Sequence, residues 1–476
     1  MFDKIKRFFK TIAEFIWGKF KSKEEVRKFM SLALIFFFII GVYWILRSIK
    51  DSIFNVTVGI EMIPYAKILS VVFVFPIIMF YMKIVEIFKR ERVFYTMMIL
   101  YAIGALVFMF AFMRYDLSTI KASTSNYVGW LWYFYVESFG SVITASFWII
   151  LTDITLPDAA KRGFPVVYIF AQLGQVFFPR LVNAKFLGFA TSAPIAGICA
   201  LIMILIAIML WIFMKYTPKS QLARYVAKGT IEDEKAEGKV EKAEVIVEDE
   251  PKKKKKKVGF IEGIKAIASS GYLMGILFVV MVFEVIVTVF DFQFIFMAAK
   301  AFPLEVDMSA YMSSFSSTVG IVTFIFAAFG LSTIQRKLGL FVSLLLTPIL
   351  VLFCIFVLWT YPVLSIAFWI MVVSKAINYA INQPTLKNLY IPVKKETRYK
   401  TMGWIEAFGG RSSKSVGSLI NLLGKFFKSK HGAAGVAVFL NVSSPISLGL
   451  VGIWFFVTFY LAKTNKKAVE NNEYVC

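Results

Sequence analysis

Stretches of about 20 mostly apolar residues recur along nearly the whole chain, and that is the length a helix needs to cross roughly 30 Å of hydrocarbon. Backbone groups in lipid must find their partners within the segment that carries them, and these runs are too long and too evenly apolar for the alternating strands of a barrel. The sequence therefore predicts an all-α membrane protein with about twelve transmembrane helices. The expected spans are 29–48, 63–82, 93–113, 127–151, 164–187 and 193–214, then 272–298, 309–334, 339–359, 362–390, 402–426 and 436–462. With 59% of 476 residues hydrophobic, a soluble fold is excluded.

The spans form two halves of six, 29–214 and 272–462, separated by a polar connector at 215–271 and followed by a tail at 463–476. The connector carries IEDEKAEGKVEKAEVIVEDEPKKKKKK, and its low hydrophobicity and blocks of like charge predict a largely disordered segment. Residues 1–28 place Ile5, Phe8, Phe9, Ile12, Phe15 and Ile16 at helical spacing among lysines, the pattern of an amphipathic helix lying on an anionic leaflet. Short loops holding Lys83 to Arg92, Lys161 with Arg162, Arg336 with Lys337 and Lys394 to Lys400 all fall on one side. The positive-inside rule makes that side cytoplasmic, with both termini and the connector; Lys425, Lys428 and Lys430 are the exception. The formal charge of +23 raises nucleic acid as a partner, but most Lys and Arg sit between spans. Anionic lipids are the expected partners of the basic segments, and no nucleic acid is expected.

Six spans, a long basic connector and six more spans is the layout of major facilitator-like carriers, whose substrate site lies near the midplane between the halves. Function has to come from the polar residues inside the spans, because an ionised side chain at mid-bilayer costs about 3 kcal/mol even on lenient scales and must face a partner or a watery pathway. The first span ends YWILRSIKDSIF, with Arg47, Lys50 and Asp51 about one turn apart. These are either interfacial anchors or the wall of a pathway. The fourth span carries Glu137, with Asp153 near its end, and the seventh carries Glu284 and Asp291, seven residues apart on one face. Lys375, Asn378 and Asn382 form a polar stripe on the tenth span, where Pro384 should kink or break the helix before Lys387. In the eleventh span Glu406, Arg411, Lys414, Ser418 and Asn421 lie among Gly409, Gly410 and Gly417, glycines that serve either helix packing or ligand approach.

Cations on spans one, ten and eleven, with acids on four and seven, suggest a pathway for a strongly anionic solute, since Lys and Arg are the usual partners of phosphate oxygens. A purely structural network of buried ion pairs is the competing reading. Enzyme motifs are wanting. GGRSSKS at 409–415 imitates a phosphate-binding loop but has Ser413 where glycine is required and no preceding strand. His431, the single histidine, is expected in a loop, and Cys199, Cys354 and Cys476 are scattered, so neither a catalytic dyad, a disulfide framework nor a metal site is predicted. The expected protein is not an enzyme and uses no cofactor.

YWILRSIKDSIFNVTVGIEMIPYAK at 43–67 resembles a pattern of the nucleotide transporter family of plastids and obligate intracellular bacteria, the non-mitochondrial ATP/ADP translocases. ESFGS with the following FW, KRGFPVVY at 161–168, the acid of the seventh span, YIPV at 390–393 and RSSKSVGSLI at 411–420 extend the resemblance over nearly the full chain. It implies a twelve-helix carrier of the bacterial plasma membrane, working as a monomer, that exchanges ATP for ADP. By matching position it places the family's essential cations on Lys50 and Lys414 and its essential acids on Glu137 and Glu284. In the expected mechanism Lys50, Lys414, Arg47 and Arg411 or Lys387 hold phosphate, and Glu137, Glu284, Asp291 and Asp51 gate or couple. The chain departs from the family where Asp-Pro-Thr-Lys-Glu becomes Gln383-Pro384-Thr385-Leu386-Lys387, which moves the lysine about 100° around a helix. Proton-coupled uptake of nucleoside triphosphates, with Glu137, Glu284 or Asp291 as proton carrier, is the alternative. A membrane scaffold that binds lipid without transporting is the remote one.

Overall fold

A computed structural model describes residues 20–155, 157–218, 222, 260–329, 331–405, 409–431, 435–471 and 473–475. The amphipathic segment expected at 1–28 falls mainly outside the described residues, as do Glu406 and most of the basic connector. The first half supplies α1 (Lys23–Thr57), α2 (Ile63–Ile87), α3 (Arg90–Tyr115), α4 (Tyr127–Asp153), α5 (Pro157–Leu181) and α6 (Ala193–Tyr216). Next come α7 (Phe260–Ser269), α8 (Gly271–Ala301), α9 (Glu305–Phe329), α10 (Leu331–Thr360), α11 (Leu364–Ile377), α12 (Gln383–Asn388), α13 (Lys395–Trp404), α14 (Gly410–His431) and α15 (Gly435–Glu470). No strand occurs among the described residues.

Ten stretches among the described residues are long and apolar enough to cross a membrane. The remaining two expected spans, α5 and α14, are helical but more polar: α5 holds Pro165, Pro179 and Arg180, and α14 begins with Arg411 and Lys414. Several helix ends differ from expectation: α1 and α15 run past the spans expected at 29–48 and 436–462. The connector is helical at α7, where Phe260, Ile261, Ile264 and Ile267 recur at helical spacing. The turn expected after 334 falls instead at Gly339, whose φ of 78° is open to glycine and strained for other residues. Lys425, Lys428, Lys430 and His431, expected in a loop, continue α14 to its end.

The tenth span shows why a proline is tolerated inside it. Pro384 cannot donate to the carbonyl four residues back, and its ring crowds that carbonyl. The chain widens to a π-helical turn at Asn378–Asn382, with the Gln383 amide reaching back five residues to Asn378, before α12 resumes. The bend expected at this proline thus takes the form of a bulge that keeps the backbone satisfied.

The chain divides into two compact units. One comprises Met1–Ser48, Pro76–Asp116 and Tyr135–Lys255; within it α3 packs along α6. The other comprises Ile49–Phe75, Leu117–Phe134 and Lys256–Cys476, so the later turns of α1 and the early turns of α2 and α4 join the second half of the sequence. Here α8 is the hub, packed against α11, α14 and α15. It is apolar on nearly every face, as a helix surrounded by others must be. Lipid is as apolar as leucine, so what fixes α8 is close packing and hydrogen bonds between helices. Phe294 meets Phe315 with ring centroids 4.7 Å apart, Asn421 of α14 donates to the Thr288 carbonyl at 3.1 Å, and the Tyr272 hydroxyl donates to the Leu389 carbonyl at 2.7 Å.

Candidate substrate site

The second unit holds a cavity of about 280 Å³ beside α8. Its polar wall is Glu284 from α8 with Gln383 and Lys387 from α12. Aliphatic side chains of Ile276, Val280, Leu386 and Ile405 and the ring of Tyr390 supply the apolar wall, and Gly410 opens α14 onto the same space. Lys414, one turn further along α14, brings Nζ to 3.9 Å from Glu284 Oε2. That pair is loose and wet: the Lys414 side chain is 51% exposed and that of Glu284 18%. Lys387 is exposed as well, and Arg411 is half-buried in the first turn of α14. Of the expected phosphate-holding residues, Lys387 thus lines the cavity with the acid Glu284, and Lys414 approaches that acid from α14.

The glycines of this helix divide their work. A Cβ on Gly417 would sit 2.7 Å from the Val285 carbonyl oxygen and 2.8 Å from the Thr288 Cβ, so this glycine lets α14 lie against α8. A Cβ on Gly410 would meet nothing within 4 Å. Packing fixes the first, and open cavity surrounds the second.

Asp291, two turns along α8 from Glu284, stands in a different setting. Its two carboxylate oxygens accept from Lys67 of α2 at 2.7 Å and from Lys375 of α11 at 3.2 Å. All three side chains are largely buried, and Lys375 also lies 5.7 Å from the centre of the Phe315 ring. Lys50 is buried too, with Nζ 3.5 Å from Asp51 Oδ1 and 4.1 Å from the centre of the Tyr133 ring. Two residues after Lys50, Ser52 donates to Glu305 of α9 at 3.2 Å. The sequence reading overlooked Lys67 and Glu305 as partners, although a lysine inside the expected second span was itself the signal for Lys67.

Arg47 and Glu137 belong to the first unit. Arg47 donates to the Tyr43 hydroxyl at 2.8 Å and its guanidinium lies 5.1 Å from the centre of the Trp44 ring, a cation held on aromatic faces. Glu137 is half-buried on α4, where the Ser141 hydroxyl donates to its backbone carbonyl at 3.1 Å. Toward the ends of the same helices Arg162 binds Glu25 at 2.7 Å, Arg90 pairs with Asp153, and the Lys28 ammonium donates to the Ile154 carbonyl at the end of α4, where a cation meets the helix dipole favourably. Arg162 of the KRGFPVVY segment, the acid at 153 and Lys28 therefore tie α1, α3, α4 and α5 together in this unit.

The all-helical, multi-pass architecture is that of major facilitator-like transporters. Solved structures agree on the fold: a bacterial homologue of the iron transporter ferroportin superposes with a TM-score of 0.61 at 11% identity, covering 92% of this chain and 98% of that one. A point mutant of the nucleoside transporter NupG gives 0.59 at 12% identity over 91% and 99%. The chain belongs to the TLC ATP/ADP transporter family, whose model matches residues 2–367. Among its relatives are ADP,ATP carrier protein 3 of Rickettsia bellii, 24% identical over 98% of this chain and 99% of the relative. ADP,ATP carrier protein 1 of Rickettsia prowazekii is 25% identical, and the match covers 99% of both chains.

Proposed function

We propose that the protein is an alternating-access nucleotide carrier that exchanges ATP for ADP across a bacterial plasma membrane, with both termini on the cytoplasmic side. The observation that carries this reading is the cavity lined by Glu284 and Lys387, with Lys414 beside Glu284, in a chain of an ATP/ADP transporter family. Phosphate oxygens bind Lys414 and Lys387, with Arg411 beside them on α14 and Lys50 and Arg47 as further cations of the pathway. Glu284 is the counter-charge that Lys414 holds when no nucleotide is bound, and the arriving polyphosphate competes with it. Glu137 and Asp51 act in gating, and Asp291 holds α2 and α11 to α8.

Exchange follows from the charges. A cationic cavity closed off from water has less counter-charge when it holds only the Glu284 carboxylate than when it holds a polyphosphate, so the empty carrier returns slowly and the loaded one quickly. Asp291 already answers two lysines, which favours exchange over the proton-carrier role considered for it. The basic segments bind anionic lipid, and the carrier works as a monomer.

Proteoliposomes loaded with ADP should take up labelled ATP many times faster than empty ones, and an uncoupler should leave that uptake unchanged. Uptake that ignores internal ADP and collapses with the uncoupler would establish proton-coupled import instead. Proteoliposomes that move no nucleotide under either condition would reject the carrier reading.

A further inference from the structure

The 280 Å³ cavity is too small for a whole nucleoside triphosphate and of a size to take a base with part of its sugar. Its walls separate into two kinds of surface. The aliphatic groups of Ile276, Val280, Leu386 and Ile405 and the ring of Tyr390, which is 4% exposed, make a dry lining suited to a flat heterocycle. The two lysines are on the open side, Lys387 exposed and the Lys414 side chain 51% exposed. A phosphate placed among the aliphatic groups would lose its hydration without gaining a cation, whereas at the lysines it keeps water and gains cations. The base therefore enters the lining and the phosphates stay with Lys387 and Lys414.

Among the described lining residues Gln383 carries the one side-chain amide. Gln383 is half-buried, and among the described residues its amide has no hydrogen-bond partner. An amide offers a donor and an acceptor side by side, the pattern that complements the amino group and neighbouring ring nitrogen of adenine. The π-helical turn that precedes it sets its direction, because widening the helix by one residue before Gln383 rotates every later side chain relative to α11.

We infer that Gln383 is the base-reading residue of this carrier, pairing with the edge of a purine seated against Tyr390 while Lys387 and Lys414 hold the phosphates. The inference rests on the nucleotide-carrier reading and adds the specificity determinant to it. A carboxylate at this position only accepts hydrogen bonds, so Gln383→Glu turns away the ring nitrogen of adenine and welcomes the two adjacent N–H groups of guanine. Gln383→Leu removes both partners and leaves the base read by shape alone.

The test is the ratio of GTP to ATP uptake by ADP-loaded proteoliposomes, measured for wild type, Gln383→Glu and Gln383→Leu. A ratio within one preparation does not depend on how much of each variant folds. For a variant too slow to transport, the same ratio is read from competition of GTP and ATP against labelled ATP bound to purified protein. The expected result is a shift toward GTP of at least about fivefold in Gln383→Glu, the low end of what one bidentate base pair discriminates, and a flattened ranking in Gln383→Leu. Variants that keep the wild-type ratio overturn the base-reading role while wild-type uptake still upholds the carrier. Wild-type protein that moves and binds neither nucleotide overturns both.

Discussion

Glu284 and Asp291 stand on one face of α8, about 10 Å apart along its axis, and their surroundings differ in every respect that matters to a charge. Asp291 is clamped by Lys67 at 2.7 Å and Lys375 at 3.2 Å, and all three side chains are largely withdrawn from solvent. Glu284 meets Lys414 at 3.9 Å, beyond a proper hydrogen bond, on the wall of a cavity where the lysine is half in solvent. A tight buried cluster spends its charge on itself and ties helices together. A loose, wet one leaves its cations able to change partner, and a phosphate is the partner that suits them.

The largest effect expected from breaking this contrast is on the tight side. Asp291→Asn takes a carboxylate away from two buried lysines and should cost about 3–5 kcal/mol of stability, seen as a lower melting temperature of purified protein. Adding Lys375→Met to that variant removes one of the two buried cations and should recover part of the loss. On the loose side, Lys414→Ala should leave melting nearly unchanged and slow ATP/ADP exchange by about tenfold to a hundredfold, as expected for losing one charge-assisted bond worth about 1.5–3 kcal/mol. Gly417→Ala drives a methyl into the Val285 carbonyl and should lower stability by about 1–3 kcal/mol. The smallest effect is Gly410→Ala, which meets open space and should stay within about 0.5 kcal/mol of wild type in melting while raising KM for nucleotide.

Much of this fold was legible because one physical rule governs it: a helix that spans lipid must be apolar for about 20 residues, and the runs announce themselves. Even α5 and α14, too polar to qualify on composition, are helices that overlap the spans expected at 164–187 and 402–426, although residues 402–404 of the latter belong to α13. Boundaries were less legible, since α1 and α15 run on past the apolar stretch and no hydropathy change marks their ends. Of the site, the individual charges could be read one by one, for each is conspicuous in an apolar span. Their partnerships could not. The spacing of Glu284 and Asp291 says that they share a face, but which lysine each meets depends on how α2, α11 and α14 pack on α8, and that is written in contacts such as Gly417 on Val285 that have no local signature. Gln383 was visible only as a departure from a family pattern; the cavity gives it surroundings that a linear pattern does not contain.

The central claim is that nucleotide binds the loose cluster and not the tight one, and equilibrium binding of labelled ATP to purified protein tests it most directly. Wild type and the double variant Asp291→Asn with Lys375→Met, which keeps the same net charge, should bind ATP with similar affinity, while Lys414→Ala should bind at least about tenfold more weakly. Equal affinity in wild type and Lys414→Ala, with binding lost in the double variant, would contradict the account.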